Sequence, residues 1–154
     1  MGIERYDVNE NWAHTGIIKA GDFYFISYCV GNIGQPIEAQ INGAIDQMEN
    51  RLKLVGLNLE HVVQMDCLFR DVWNIPTMEK VIKERFNGKY PVRKSIQTNF
   101  AHNGGENGLQ FQLDGIAYAC FLSSTFPRKE RQNSLFSSRG FPCFRRGTVT
   151  HPDA

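Results

Sequence analysis

The sequence predicts an α+β domain: a mixed sheet in the order β-β-α-β-α-β-β, with two helices on one face. Three observations lead there. Two segments repeat apolar residues at 3- and 4-residue steps, the period of a helix with one buried stripe. Five segments read as strands: two are rich in β-branched and aromatic residues, and three alternate between two faces, the period of a strand with one buried side. The two kinds interleave within a chain of 154 residues, a length that suits one domain.

The first two strands are Ile17-Ile18 and Phe23 to Val30, rich in β-branched and aromatic residues. Gly21-Asp22 between them predicts a hairpin. Gly31-Asn32-Ile33-Gly34 ends the second strand with turn chemistry. Pro36 then suits the first turn of a helix. Ile41, Ala44, Ile45, Met48, Leu52 and Val55 form its stripe, with Asn42, Asp46, Glu49, Asn50 and Lys53 on the other side. Gly56 is the expected residue just past its end, with Leu57 making the closing apolar contact.

Val62 to Phe69 is the third strand. Val63, Met65, Cys67 and Phe69 are expected on one face, and Gln64, Asp66 and Leu68 on the other. A second helix starts near Pro76, buries Met78, Val81, Ile82 and Phe86, and stops at Asn87-Gly88.

Residues 92–100 and 109–118 supply the last two strands. Val92, Lys94, Ile96, Thr98 and Phe100 share one face of the first; Arg93, Ser95, Gln97 and Asn99 share the other. In the second, Leu109, Phe111, Leu113 and Ala117 face the core, and Gln110, Gln112 and Asp114 do not. The turn-forming linker His102-Asn103-Gly104-Gly105-Glu106-Asn107-Gly108 predicts that the two pair as a hairpin. With the loop centred between residues 103 and 104, Arg93 falls opposite Asp114, Ser95 opposite Gln112 and Gln97 opposite Gln110; alternation fixes the parity of this pairing and leaves a shift of two residues open. The face carrying these residues is too polar for a core, so water or another subunit covers it.

Charge divides the chain. Of its 17 Lys/Arg and 16 Asp/Glu, 11 and 14 fall in residues 1–119; the remaining six and two fall in residues 120–154. The body is therefore acidic at −3 and the C-terminal segment basic at +4. An acidic body argues against non-specific nucleic-acid binding. Residues 120–154 show no helical or strand period and are expected to form a disordered basic tail on a domain of residues 1–119. No apolar run reaches the ~20 residues of a membrane span, and the polar start shows no signal peptide. Cys29, Cys67, Cys120 and Cys143 form no C-x-x-C pair, and Cys29 and Cys67 lie in apolar runs. Neither zinc nor a disulfide framework is indicated, and a cytoplasmic setting is expected.

Four residues are candidates for chemistry. The guanidinium fork of Arg93 can bind a carboxylate through two parallel hydrogen bonds, or pair with Asp114 across the strands. Asp114 can act as a base or hold an attacking water, or serve only in that ion pair. His14 can donate to a substrate or lie on the surface. Ser95 can contact a ligand, but no triad spacing makes it a nucleophile. The four histidines form no metal-binding pair, and no phosphate-cradling glycine motif occurs.

Taken together, these segments resemble the RidA (YjgF-type) family of enamine/imine deaminases. The matching parts are Gly21-Asp22-Phe23-Tyr24-Phe25-Ile26-Ser27, Gln40 and Ala44, Leu52-Lys53-Leu54-Val55-Gly56, and His61-Val62-Val63. They continue with Phe69-Arg70-Asp71-Val72, Tyr90-Pro91-Val92-Arg93 and Asp114-Gly115-Ile116-Ala117, spanning about residues 14 to 118. The resemblance implies a chorismate-mutase-like trimeric fold, a homotrimer with sites at its subunit interfaces, and no cofactor. It implies hydrolysis of 2-enamino or 2-imino acids to 2-keto acids and ammonia. Arg93 would bind the substrate carboxylate. Asp114 falls where the family usually has a water-positioning glutamate, His14 where many members have a tyrosine, and Ser95 where some have a cysteine. Ser27-Tyr28-Cys29 departs from the usual Ser-Gly-Gln. The alternatives are a non-catalytic trimer that binds small carboxylic acids, and a ribonuclease or translation inhibitor. A membrane or nucleic-acid partner is not expected.

Overall fold

The computed structural model describes residues 2–100 and 108–119. The expectations for the linker 102–107 and for the tail 120–154 lie outside them. The strands are β1 (Ile3–Asn9), β2 (His14–Ala20), β3 (Phe23–Cys29), β4 (Val62–Phe69), β5 (Val92–Gln97) and β6 (Phe111–Tyr118). The helices are α1 (Ile37–Leu54) and α2 (Ile75–Phe86). The six strands make one sheet in the order β1-β2-β3-β6-β4-β5, and both helices pack against one face. The α+β class and the two helices match the expectation.

The helix stripes are buried as their period requires. Ile41, Ala44, Ile45, Met48 and Leu52 of α1 are fully buried, as are Met78 and Val81 of α2. Gly56 ends α1 with φ +72°, where a side chain would be strained. Its N–H donates to the Lys53 carbonyl and that of Leu57 to the Leu52 carbonyl, which satisfies two carbonyls at the helix end. Asn87 closes α2 in the same left-handed region, at φ +50°. Gln40 is completely buried and holds α1 to the start of β6. It accepts from the Gln110 N–H at 2.9 Å and donates to the Gly108 carbonyl at 3.1 Å.

Three expectations need correction. First, β1 was not foreseen. It is an edge strand whose residues are almost all exposed, so its sequence carries no burial alternation. Second, Val63 does not share the buried face of Met65, Cys67 and Phe69. The β4–β6 register shifts between Val62 and Gln64, and this bulge leaves Val63 exposed.

The third correction concerns the site directly. β5 and β6 do not form a hairpin: β4 lies between them, parallel to β5 and antiparallel to β6. Alternation fixes which residues share a face but does not choose the partner strand. Met65, Cys67 and Phe69 of β4 are all fully buried, so β4 takes an interior place with a neighbour on each side. Arg93 consequently lies opposite Met65, and Ser95 opposite Cys67, on the helix-facing side. Asp114 lies opposite Asp66, which alternates with those buried residues and so faces away from the helices. Arg93 and Asp114 are neither cross-strand partners nor on one face, and the ion pair expected between them gives way to others.

Candidate functional site

Arg93 points from β5 toward α2. Its Nη2 donates to Glu79 Oε1 at 2.8 Å, and its Nη1 lies 3.4 Å from Met78 Sδ. The guanidinium lines a cavity of about 440 Å³ together with Met65, Glu79, Ile82, Lys83, Tyr90 and Pro91. Tyr90-Pro91 precedes the strand, and the proline favours the extended entry that aims Arg93. The Arg93 side chain is 28% exposed, so solvent reaches the ion pair. Ser95 stands two residues on, on the same side, and is half-buried.

Asp114 occupies the opposite, open face. Burial and then the charge of Asp66 hold its carboxyl above the ordinary aspartate value, against the pull of the Lys94 ammonium. Lys94 Nζ contacts Asp66 Oδ2 at 2.8 Å. On the other side of β6, the β3–β6 register shifts between Ile26/Gly115 and Cys29/Leu113. Ser27 and Tyr28 therefore both stand opposite Asp114, in a bulge.

His14 joins that bulge. Its Nε2 shares a 2.9 Å hydrogen bond with Ser27 Oγ, and its ring lies 5.1 Å from that of Tyr28 at a 58° tilt. His14 and Tyr28 line a second cavity, of about 540 Å³, with Asp7, Arg51, Phe100 and Gln112 among its walls. The bulge is held from the helix side by Arg51, which is 6% exposed. Arg51 Nη1 donates to the Ser27 and Tyr28 carbonyls at 3.0 and 2.7 Å, and its Nε donates to Asp7 Oδ2 at 2.9 Å. These bonds satisfy two carbonyls that the register shift takes out of the ladder.

Within one chain, then, the four candidates fall into three places. Arg93 and Ser95 lie beside α2, Asp114 lies on the open face, and His14 lies at the β3 bulge. The residues that sequence reasoning missed are Arg51, Asp7, Asp66, Lys94 and Glu79. Arg51 carried a usable signal: it falls three residues after Met48 and four before Val55, inside the apolar stripe. A charge there is a buried charge, and a buried charge needs partners. The other four gave no such sign, because their roles depend on which strands and helices are neighbours.

Cys29 and Cys67 are free thiols in the core. Burial pushes their pKa values to about 11 and about 12, although Arg51 and Arg93 respectively pull each one down. Both stay protonated at neutral pH and are poor nucleophiles. Among the described residues, no group of three or more His, Cys, Asp or Glu side chains could hold a metal ion. No helix among them is long and apolar enough to cross a membrane.

No protein-family model matches the chain, and neither does any curated protein. Solved structures do match. A hypothetical protein from Streptococcus pyogenes, described as a member of the highly conserved YjgF family, is 73% identical. The alignment covers 76% of this chain and 96% of that one, with a TM-score of 0.74. A YjgF/YER057c/UK114-family protein from Mycobacterium tuberculosis shares the fold at 18% identity and a TM-score of 0.67, over 77% of this chain and all of that one. An Entamoeba histolytica protein proposed to be an endoribonuclease of the L-PSP type shares it at 20% identity and 0.61, over 70% of this chain and 88% of that one. The level of identity to the streptococcal protein, across nearly its whole length, decides the matter: the chain belongs to the YjgF, or RidA, family.

Proposed function

We propose that this protein is an enamine/imine deaminase that hydrolyses 2-imino acids, or their 2-enamino tautomers, to 2-keto acids and ammonia. The observation that carries the reading is Arg93. Its fork lines a cavity and already holds a carboxylate, that of Glu79, at 2.8 Å. A substrate carboxylate exchanged into that place would be anchored, and the positive charge would make the adjacent imine carbon more electrophilic. Asp114 would hold the attacking water, and His14 and Ser95 would shape the pocket. The imine is already activated, so this chemistry requires no cofactor.

The three separate places of these residues fit a homotrimer with sites at the seams between subunits. There the β2–β3 side of one copy could complete the β5 side of another. The open face supports assembly. Phe23 and Phe25 alternate with buried Tyr24 and Ile26, so they face away from the helices, and each is 46% exposed. Phe23 also packs against Tyr118, ring centres 5.2 Å apart. Such apolar surface on a layer without helices favours contact with another copy.

The test supplies an amino-acid oxidase or a threonine dehydratase with its substrate and traps the imine with semicarbazide. The protein should lower trapping, and Arg93→Ala should not. Unchanged trapping with the intact protein removes the reading for those imines. The second reading, a non-catalytic trimer that binds small carboxylic acids, is favoured by an aspartate standing where the family's usual glutamate would be. A ligand-induced rise in Tm without imine hydrolysis would establish it. Degradation of RNA by the intact protein but not by Arg93→Ala would instead revive the ribonuclease.

A further inference from the structure

We propose that the cavity of about 540 Å³ beside the β3 bulge is a second carboxylate site, which takes a small carboxylic acid with a flat apolar body. Arg51 is its cation, and Gln47 and Asn9 are its further donors. The site is separate from the seat of Arg93, because the two cavities share no lining residue. It stands apart from the deaminase reading, whose carboxylate anchor is Arg93.

Two strands fix the cation. On β1, Asp7 is held in the left-handed region at φ +55°, which a residue with a side chain keeps only where its surroundings impose it. Its carboxylate lies over Gly16, where a Cβ would fall 2.1 Å from Asp7 Oδ2. The bare backbone there lets Asp7 reach Arg51 Nε. On β3, the bulge offers the Ser27 and Tyr28 carbonyls to Nη1, with a weaker contact from Nη1 to Cys29 Sγ. These contacts use Nε and Nη1. Nη2 makes no hydrogen bond among the described residues, although Arg51 is more than nine-tenths buried. Among those residues no fully buried side-chain nitrogen or oxygen lacks a partner, so Nη2 is open to solvent, through the cavity that Arg51 lines.

The wall holds two more spare donors. Gln47 Oε1 accepts from the Val30 N–H at 2.7 Å, and Asn9 Oδ1 accepts from the Trp12 N–H at 3.2 Å. A backbone N–H can only donate, so these bonds decide which end of each amide is the oxygen. The NH2 ends are left over, and neither makes a hydrogen bond among the described residues. Three donor groups call for a ligand that only accepts, and a carboxylate does so with two oxygens. The lining carries one full cation, Arg51, and one full anion, Asp7, a balance that suits a singly charged carboxylate better than a doubly charged phosphate. Tyr28, Phe100, Ile33 and Leu109 complete the wall, which makes the rest of the ligand apolar, and the rings favour a flat body. The volume falls within the range of small-molecule sites.

The experiment follows binding of 3-phenylpropionate to the full chain by isothermal titration calorimetry. 3-Phenylpropionamide, with the same body and no charge, is the control and should bind about tenfold more weakly or worse. Gln47→Glu and Asn9→Asp are nearly isosteric. Each keeps the oxygen that its backbone N–H uses and replaces the spare donor with an anion. Each should weaken binding of the acid by about tenfold, with the urea midpoint unchanged. Arg93→Ala should leave this binding in place. The proposal is overturned if the intact protein shows no saturable binding of the acid, if acid and amide bind alike, if binding is lost in Arg93→Ala, or if it is unmoved in both Gln47→Glu and Asn9→Asp. None of these readings uses imine hydrolysis, so the site can stand where the deaminase reading fails, and the reverse.

Discussion

Replacing Arg51 by Met should cost this protein about 3 kcal/mol. Methionine keeps most of the apolar stem that Arg51 buries in α1. What it loses is the fork: two bonds to the Ser27 and Tyr28 carbonyls and one to Asp7, between 2.7 and 3.0 Å long, and a weaker one to Cys29 Sγ at 3.4 Å. Removing one member of a buried charged network costs roughly 3–5 kcal/mol, because the partners stay behind unpaired. The lower end applies here. The Asp7 side chain is 45% exposed and regains water when its partner goes, so most of the cost falls on the two bulge carbonyls. With a urea m-value of about 2 kcal/mol/M, the unfolding midpoint should fall by about 1.5 M at fixed protein concentration. Asp7→Asn, which leaves the carbonyl bonds in place, should cost only about 1 kcal/mol. A methionine variant as stable as the parent would mean that Arg51 acts by packing alone, and the account of the bulge would be wrong.

Other outcomes follow from the same geometry. Iodoacetamide at mildly alkaline pH should leave Cys29 and Cys67 unmodified in the folded protein and label both in denaturant, since burial keeps each thiol protonated; peptide mapping checks this. Gly31→Ala should cost about 1–3 kcal/mol in urea unfolding, because its Cβ would fall 2.4 Å from the Gly43 backbone, which cannot step aside as a side-chain tip can. Phe111→Ala should cost about 3–5 kcal/mol, since the ring is fully buried and packs edge-on against Phe69 with centres 5.0 Å apart. Asp114 contributes a pH dependence of definite sign. Its folded value lies above the ordinary one, so the native state loses stability relative to the unfolded chain as pH rises through the range above that ordinary value. Asp114→Asn should remove this loss, which urea unfolding at a series of pH values would detect.

What the sequence made legible was local. The stripe from Ile41 to Leu52, the stop at Gly56 with the Leu57 contact, and Asn87 as the end of α2 are each decided by a few adjacent residues, and each is found. The alternation of Leu109, Phe111, Leu113 and Ala117 correctly marks the buried face of β6. Strand pairing was not legible. Arg93 and Asp114 were placed together because they sit at matching steps from a turn-rich linker, yet β4 separates them. That insertion follows from three fully buried side chains in β4, a preference that exists only when strands compete for the centre of a sheet. The contacts of Asp66, Lys94 and Glu79 were hidden for the same reason, since each depends on a neighbour distant in sequence. Gln40, which was visible as part of the family pattern, gains its physical reason only in three dimensions, as the clamp between α1 and the entry to β6.

The place of β6 also fixes an order of assembly. β1, β2 and β3 can pair among themselves as they emerge, and β4 can find β5 through the helix that joins them. The two half-sheets share no strand pair until β6 slides between β3 and β4. The last strand among the described residues is therefore the keystone, and two long inner edges stay open until it is made. During synthesis these edges wait for residues beyond Phe111 to leave the ribosome, and a chain cut short of that point would present both to any other strand within reach.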